Sequence, residues 1–190
     1  MIKLLFQTPP EWTTAVLENF DLFLLDHAAA EKKAAGMAIS MASHYPDRPE
    51  LVEAMADLAV EEMSHYREVV KIIHSRGGFT AADERDAYVN TLRKALRKGS
   101  DAYFLDRLLL GGVIEARGAE RFGLIADVLE SGPLKRFYQS ISRSEERHLT
   151  LFTDLAVKYF PPDTVRERLQ DWLTLEAEVI AAQAHRPALH

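Results

Sequence analysis

The chain has 190 residues, 47% hydrophobic and 27% charged, with a formal net charge of -6. That length favours a single domain with a real core, and the acidic balance argues against broad nonspecific nucleic-acid binding while leaving room for a local basic patch. The absence of cysteine excludes disulfides, thiolate-bound zinc, iron–sulfur clusters and a thiol nucleophile; no apolar run nears the ~18 residues of a membrane span, and Met1 to Phe6 lack the length and cleavage site of a signal peptide, which points to a cytoplasmic protein with no membrane partner.

Almost every segment reads as helix. Thr8-Pro9-Pro10-Glu11 resembles a capping box with proline in the first turn. The helical stretch it opens runs to about His44, with a break near Asn19, and Tyr45-Pro46 stops it. Asp47-Arg48-Pro49-Glu50 repeats the start signal for a helix reaching about Arg76, where Gly77-Gly78 ends it. A shorter helix is expected over Asp86 to Lys98, ending at Gly99. Ser100 is placed to cap the third long helix, which reaches about Glu130 before Ser131-Gly132-Pro133. The fourth runs to about Phe160, a last helix covers Thr164 to Ala184, and the tail from His185 to His190 is expected to fray.

Two copies of one pattern lie on the four long helices. Glu31 precedes Glu62-Met63-Ser64-His65 by 31 residues, and Glu115 precedes Glu145-Glu146-Arg147-His148 by 30. Residues at i and i+3 share a helix face, so Glu62 with His65, and Glu145 with His148, can each reach one ion. Glu31 and Glu115 bridge or complete the site. Carboxylates with imidazoles suit iron or manganese, and four carboxylates offset the four charges of two divalent ions, without which so many buried acids are untenable. Chance alone places about 0.6 Glu-x-x-His matches in such a composition. The matched spacing and helical context therefore carry the argument.

Around Glu31 and Glu115 the neighbours one turn away are mostly small, Ala28, Ala34 and Ala35 in one case and Gly111, Gly112, Gly118 and Ala119 in the other. They are read as space for metal, dioxygen or substrate. His27 is either a core histidine or a partner of Glu31. Tyr66, Tyr138, Asp57 and Asp127 are candidates to orient the ligating imidazoles. Glu61 and Glu146 fall at the edge of the ligand face, and His44, His74, His185 and His190 are expected in solvent. The pattern predicts one domain over 1–190, an all-α four-helix bundle with a long crossover connection and additional flanking helices.

The arrangement resembles the ferritin-like diiron carboxylate proteins. More narrowly, the stretch from Leu25 through Glu31-Lys32-Lys33 to Ala35, the stretch Ile114-Glu115-Ala116-Arg117-Gly118-Ala119-Glu120-Arg121-Phe122, Glu61 to His65 and Ser144 to Leu149 are similar to the tRNA-(2-methylthio-N6-isopentenyladenosine(37)) hydroxylase family, MiaE. The resemblance spans about Glu11 to Phe160. It implies an O2-dependent monooxygenase that hydroxylates the isopentenyl side chain of a modified adenosine beside the tRNA anticodon. Glu31, Glu62, His65, Glu115, Glu145 and His148 would hold two irons, O2 would be co-substrate, and an external donor or reductase would supply electrons.

Such a substrate needs a basic rim for phosphates. Arg93, Lys94, Arg97 and Lys98 form the densest basic cluster, on the crossover helix; Lys32, Lys33, Arg67 and Lys71 are further candidates, and a solvated helix face is the plain alternative for each. The competing readings are a ferritin-like or rubrerythrin-like protein that oxidises iron or removes peroxide, a quinone hydroxylase, and a helical binding module without chemistry. Oligomeric state is left open.

Overall fold

The computed structural model describes residues 2–190. These form seven helices and no strand: α1 (Pro10–Glu18), α2 (Phe20–His44), α3 (Pro49–Ser75), α4 (Ala87–Arg93), α5 (Ser100–Val128), α6 (Pro133–Tyr159) and α7 (Pro162–Ala181). The expected break at Asn19 separates α1 from α2. Gly77, at φ +81°, follows α3 in the left-handed conformation that glycine adopts without a Cβ penalty.

The residues divide into two compact units. One comprises 14–84 with 185–189; the other comprises the N-terminal segment through Thr13, 85–184 and His190. Each holds one helical hairpin closed by a four-residue connection, 45–48 between α2 and α3 and 129–132 between α5 and α6. Each second helix opens with proline in its first turn, Pro49 and Pro133, where the missing N–H costs nothing. The duplication read in the ligand pattern thus extends to loop length and helix start.

Core stripes follow helical spacing. In the first unit α2 buries Leu24, Ala28, Ala35 and Ala38, and α3 buries Leu51, Met55, Leu58, Val69 and Ile73. In the second, α5 buries Phe104, Leu108, Phe122 and Ile125, and α6 buries Tyr138, Ile141, Phe152 and Leu155. Glu31, Glu62, Glu115, Glu145 and His148 occupy positions within these stripes where the pattern calls for an apolar side chain.

Several local expectations give way to longer-range bonds. Thr8 does not cap α1: its N–H and hydroxyl donate to Glu120, at 2.8 and 2.7 Å. Gly99, not Ser100, takes the cap position of α5. The crossover helix stops at Arg93, and 94–96 continue as i→i−3 turns, because the chain must leave the helix for the Arg97 N–H to reach Asp106 Oδ2 at 2.8 Å. The tail is not frayed. The Leu189 N–H donates to Asp26 Oδ2 in the first unit. In the second, His190 is buried, stacked on Tyr88 at 4.7 Å and 2.9 Å from Asp86 Oδ2.

Candidate metal centre

In the first unit, Glu31, Glu62 and His65 each present one ligand atom, all within 4.8 Å of one another. His65 Nδ1 lies 3.5 Å from Glu31 Oε2 and 3.5 Å from Glu62 Oε2. Both carboxylates are buried, and His65 keeps 13% exposure. Burial alone would lower the His65 pKa; the two carboxylates outweigh it and push it up to about 9.

His27 occupies the position one turn before Glu31. It is fully buried, and its Nε2 donates to Glu31 Oε1 at 2.6 Å. The two oxygens of Glu31 are therefore divided, Oε1 toward His27 and Oε2 toward His65. Burial would raise the Glu31 carboxyl, but hydrogen bonds from His27 and His65 hold it well below the usual carboxylate range. His27 is thus a partner of Glu31. Glu61, at the edge of the face, stands 3.9 Å from His65 Nε2.

The second unit repeats the geometry. Glu115, Glu145 and His148 are all buried and present ligand atoms within 4.8 Å of one another. His148 Nδ1 is 3.3 Å from Glu145 Oε2 and 4.0 Å from Glu115 Oε2. In both units the same ring nitrogen, Nδ1, turns to the Oε2 atoms of the lone Glu and of its own Glu-x-x-His. Each unit thus offers two carboxylates and one imidazole within reach of a single ion, a donor set that fits iron or manganese.

Two of the small residues, Gly111 and Gly112, play a different part from the one expected. A Cβ on Gly111 would meet the Phe152 ring at 2.9 Å, and one on Gly112 would meet Ile2 and Phe152 at 3.3 Å. Their space is filled by packing. Asp57 and Asp127 are exposed on the surface, and Tyr138 packs against Phe122 and Phe137. Of the four candidate orienters, Tyr66 stands next to His65 in a crevice with Lys32.

The basic candidates separate. Arg93, Lys94, Arg97 and Lys98 are all exposed, but Arg97 is committed to the fully buried Asp106 through Nη2 at 2.8 Å and Nε at 3.0 Å. Arg168 binds the same carboxylate at 2.7 and 3.0 Å. Lys32 pairs with Asp83 at 2.9 Å, and Lys33 donates to the Glu84 carbonyl at 2.7 Å.

Sequence reasoning missed the buried charges of the second unit. Arg117, fully buried, binds Glu176, Glu120, Thr8 and the Phe6 carbonyl. Arg121 lies over the Trp12 ring, 4.6 Å from its centroid, and burial followed by Arg117 lowers its pKa to about 10. The signal was present: four charged residues run through Glu115 to Arg121, among residues that are otherwise only small.

The comparisons with known proteins agree with this geometry. The family model described as tRNA-(MS[2]IO[6]A)-hydroxylase (MiaE) matches residues 1–190. A tRNA 2-(methylsulfanyl)-N(6)-isopentenyladenosine(37) hydroxylase of Pseudomonas putida is 34% identical over 152 residues, covering 80% of this chain and 74% of the relative. One of the same name from Salmonella typhimurium is 30% identical over 131 residues, 69% of this chain and 48% of the relative. Among solved structures, a protein from Synechococcus described as having aldehyde deformylating oxygenase activity is 32% identical, with a TM-score of 0.93 over 100% of this chain and 96% of its own. That likeness gives the fold as all-α and ferritin-like, with four long helices, a long crossover carrying α4, and additional flanking helices. With its whole length matched and its duplicated carboxylate–histidine pattern intact, the chain belongs to the MiaE family of tRNA hydroxylases.

Proposed function

We propose that this protein is an O2-dependent diiron monooxygenase, a single domain over 1–190, that hydroxylates the isopentenyl side chain of 2-methylthio-N6-isopentenyladenosine at position 37 of tRNA. The observation that carries the reading is the buried, duplicated donor set of Glu31, Glu62 and His65 and of Glu115, Glu145 and His148, in a chain matched from end to end by this family. Two irons, when bound, would supply the oxygen activation that hydroxylation of an allylic C–H bond requires.

The residues of the chain do the rest. Four carboxylates neutralise the charge of two divalent ions. His27 fixes one oxygen of Glu31 and leaves the other for the metal side. The apolar stripes on either side of each ligand exclude water, which protects a reactive centre from side reactions. Among the described residues no helix is long and apolar enough to cross a membrane, and a tRNA substrate would be met in the cytoplasm. With no cysteine and no cofactor motif of its own, the chain takes its electrons from a separate reductase.

The test is nucleoside mass spectrometry on tRNA carrying the isopentenyl modification, incubated with iron-loaded protein, a reductant and oxygen-18 gas. A labelled hydroxyl on that adenosine, absent without iron, is the expected result; demonstrably two-iron protein that yields no labelled product sinks the reading. A second reading, oxygen-dependent loss of the formyl group from an aldehyde, rests on the Synechococcus neighbour. Formate released from an aldehyde under the same conditions would favour it.

A further inference from the structure

The 76–84 segment lies along α2 as a strap. It leaves α3 through Gly77 and Gly78, and two consecutive lysines tether it beside a proposed ligand: Lys32 to the Asp83 carboxylate and Lys33 to the Glu84 carbonyl. Glu31-Lys32-Lys33 thus combines one metal ligand with two anchor points. Under the strap is a crevice of about 40 Å³ floored by Leu25, Ala28 and Ala29 and walled by Lys32, Tyr66 and Asp83. Ala28 is one turn from Glu31 on the same face of α2, and Tyr66 directly follows His65, the most exposed of the six ligands.

Three features of this surface suit an occupant. Phe79, in the strap, is 83% exposed, a ready platform for an unstacked base. The Lys32 ammonium sits 5.9 Å from the centre of the Tyr66 ring. The Lys32–Asp83 pair is about 40% exposed on each side, so it is weakly held and open to exchange. The crevice has room for a few waters and none for a base, so the strap has to lift before a substrate enters.

We propose that the strap and the crevice beneath it are where a single-stranded RNA loop docks, with Phe79 stacking on a base and Lys32 exchanging the Asp83 carboxylate for a backbone phosphate, so that docking itself loosens the strap beside Glu31 and His65. This rests on the tRNA reading above and names its surface. The exposed cluster at 93–98 is the rival. It is tied to Asp106, nine residues and so roughly 13 Å along α5 from Glu115, whereas the crevice is one turn from its ligand. Arg67, Lys71 and Arg76, on α3 and just past its end, are exposed and paired with Glu68, Glu68 and Asp21 in surface ion pairs of the same exchangeable kind.

The experiment measures binding of the full iron-loaded protein to an anticodon stem-loop RNA carrying 2-methylthio-N6-isopentenyladenosine, with turnover of the same RNA in parallel. Phe79→Ala is expected to weaken binding about tenfold or more. Lys32→Gln is expected to weaken it and to lower the salt dependence by about one ion, while Asp83→Asn tightens it by freeing Lys32. Lys32 and Asp83 form one ion pair, so a purely structural latch would move both variants in the same direction; opposite signs carry the proposal. Wild-type affinity in all three variants, with binding and turnover intact, overturns the docking surface and leaves the tRNA reading standing. Unchanged affinity with slower reduction of the iron by its donor assigns the surface to a protein partner instead. A wild-type protein that neither binds nor hydroxylates the RNA overturns both.

Discussion

Arg117 and Glu176 face each other through two parallel hydrogen bonds, Nε to Oε1 at 2.8 Å and Nη2 to Oε2 at 3.0 Å, with no side-chain surface exposed on either. The same carboxylate accepts the Tyr88 hydroxyl at 3.1 Å, and the same guanidinium reaches the Phe6 carbonyl and Thr8. One α5 side chain therefore fastens the N-terminal segment and α7, and through Glu176 reaches α4. Removing Glu176 leaves a buried guanidinium without its main counter-charge, which costs on the order of 3–5 kcal/mol. Glu176→Ala should lower the thermal midpoint accordingly, while Arg117→Met with Glu176→Leu recovers much of the loss. A double variant no more stable than the single would show that packing, and not the stranded charge, sets the cost.

Asp106 gives the second unit a dependence on acid. Burial alone would raise its carboxyl; Arg168 and Arg97 outweigh burial and hold it below the usual carboxylate range. Because the folded pKa lies below the unfolded one, its contribution to stability is present above about pH 4 and is lost as pH falls through the depressed folded value. Denaturant titrations of wild type and Asp106→Asn between pH 6 and pH 2 should therefore converge toward the acid end. Parallel curves over that range would remove Asp106 from the acid response.

Gly111 allows α5 and α6 to approach. An added methyl would sit 2.9 Å from the Phe152 ring, and forcing it in costs about 1–3 kcal/mol, against about 1 kcal/mol gained in helix propensity. Gly111→Ala should destabilise, and adding Phe152→Leu should restore stability by making room. A Gly111→Ala protein that melts above wild type would place the close approach elsewhere.

The parts of this protein that were legible in the sequence are those where local periodicity and chemistry agree. Glu31, Glu62, Glu115, Glu145 and His148 stand where a core stripe calls for apolar side chains, so spacing alone exposed them, and the helix stops at Tyr45-Pro46 and Gly77-Gly78 needed only the neighbouring residues. What was hidden depends on partners far along the chain. Thr8 reads as a cap until Glu120, 112 residues away, takes both its donors. The 94–98 segment reads as helix until Asp106 draws Arg97 out of it. His190 reads as tail until Tyr88 and Asp86 receive it. The glycines before Glu115 were visible as small residues, but whether a ligand or Phe152 fills the space beside them is a tertiary fact.

Ligand removal separates chemistry from folding. Glu115→Ala deletes a buried carboxylate from the donor set of the second unit. Outer partners of metal ligands already cost 10–100-fold when removed, so loss of a ligand should reduce turnover by more than about a hundredfold and lower the iron content per chain, with helical circular dichroism unchanged. Wild-type iron loading and turnover in this variant would remove Glu115 from the site.

Arg97 sets apart the members of the basic cluster. Its guanidinium and its backbone N–H both serve Asp106, which Arg168 and the Trp172 indole also approach, the latter at 3.4 Å. Arg97→Ala should therefore lower stability by about 1.5–3 kcal/mol, the range for a hydrogen bond to a charged partner. Arg93→Ala, Lys94→Ala and Lys98→Ala, at exposed positions, should stay within about 0.5 kcal/mol of wild type. A change of RNA affinity in an Arg97 variant confounds binding with the anchoring of 94–99 to α5, whereas the triple variant Arg93→Ala, Lys94→Ala, Lys98→Ala tests this face for phosphate contacts alone. Loss of affinity in the triple variant at unchanged thermal midpoint would make the 93–98 surface part of the RNA footprint; equal destabilisation by Arg97→Ala and Lys98→Ala would refute the distinction between them.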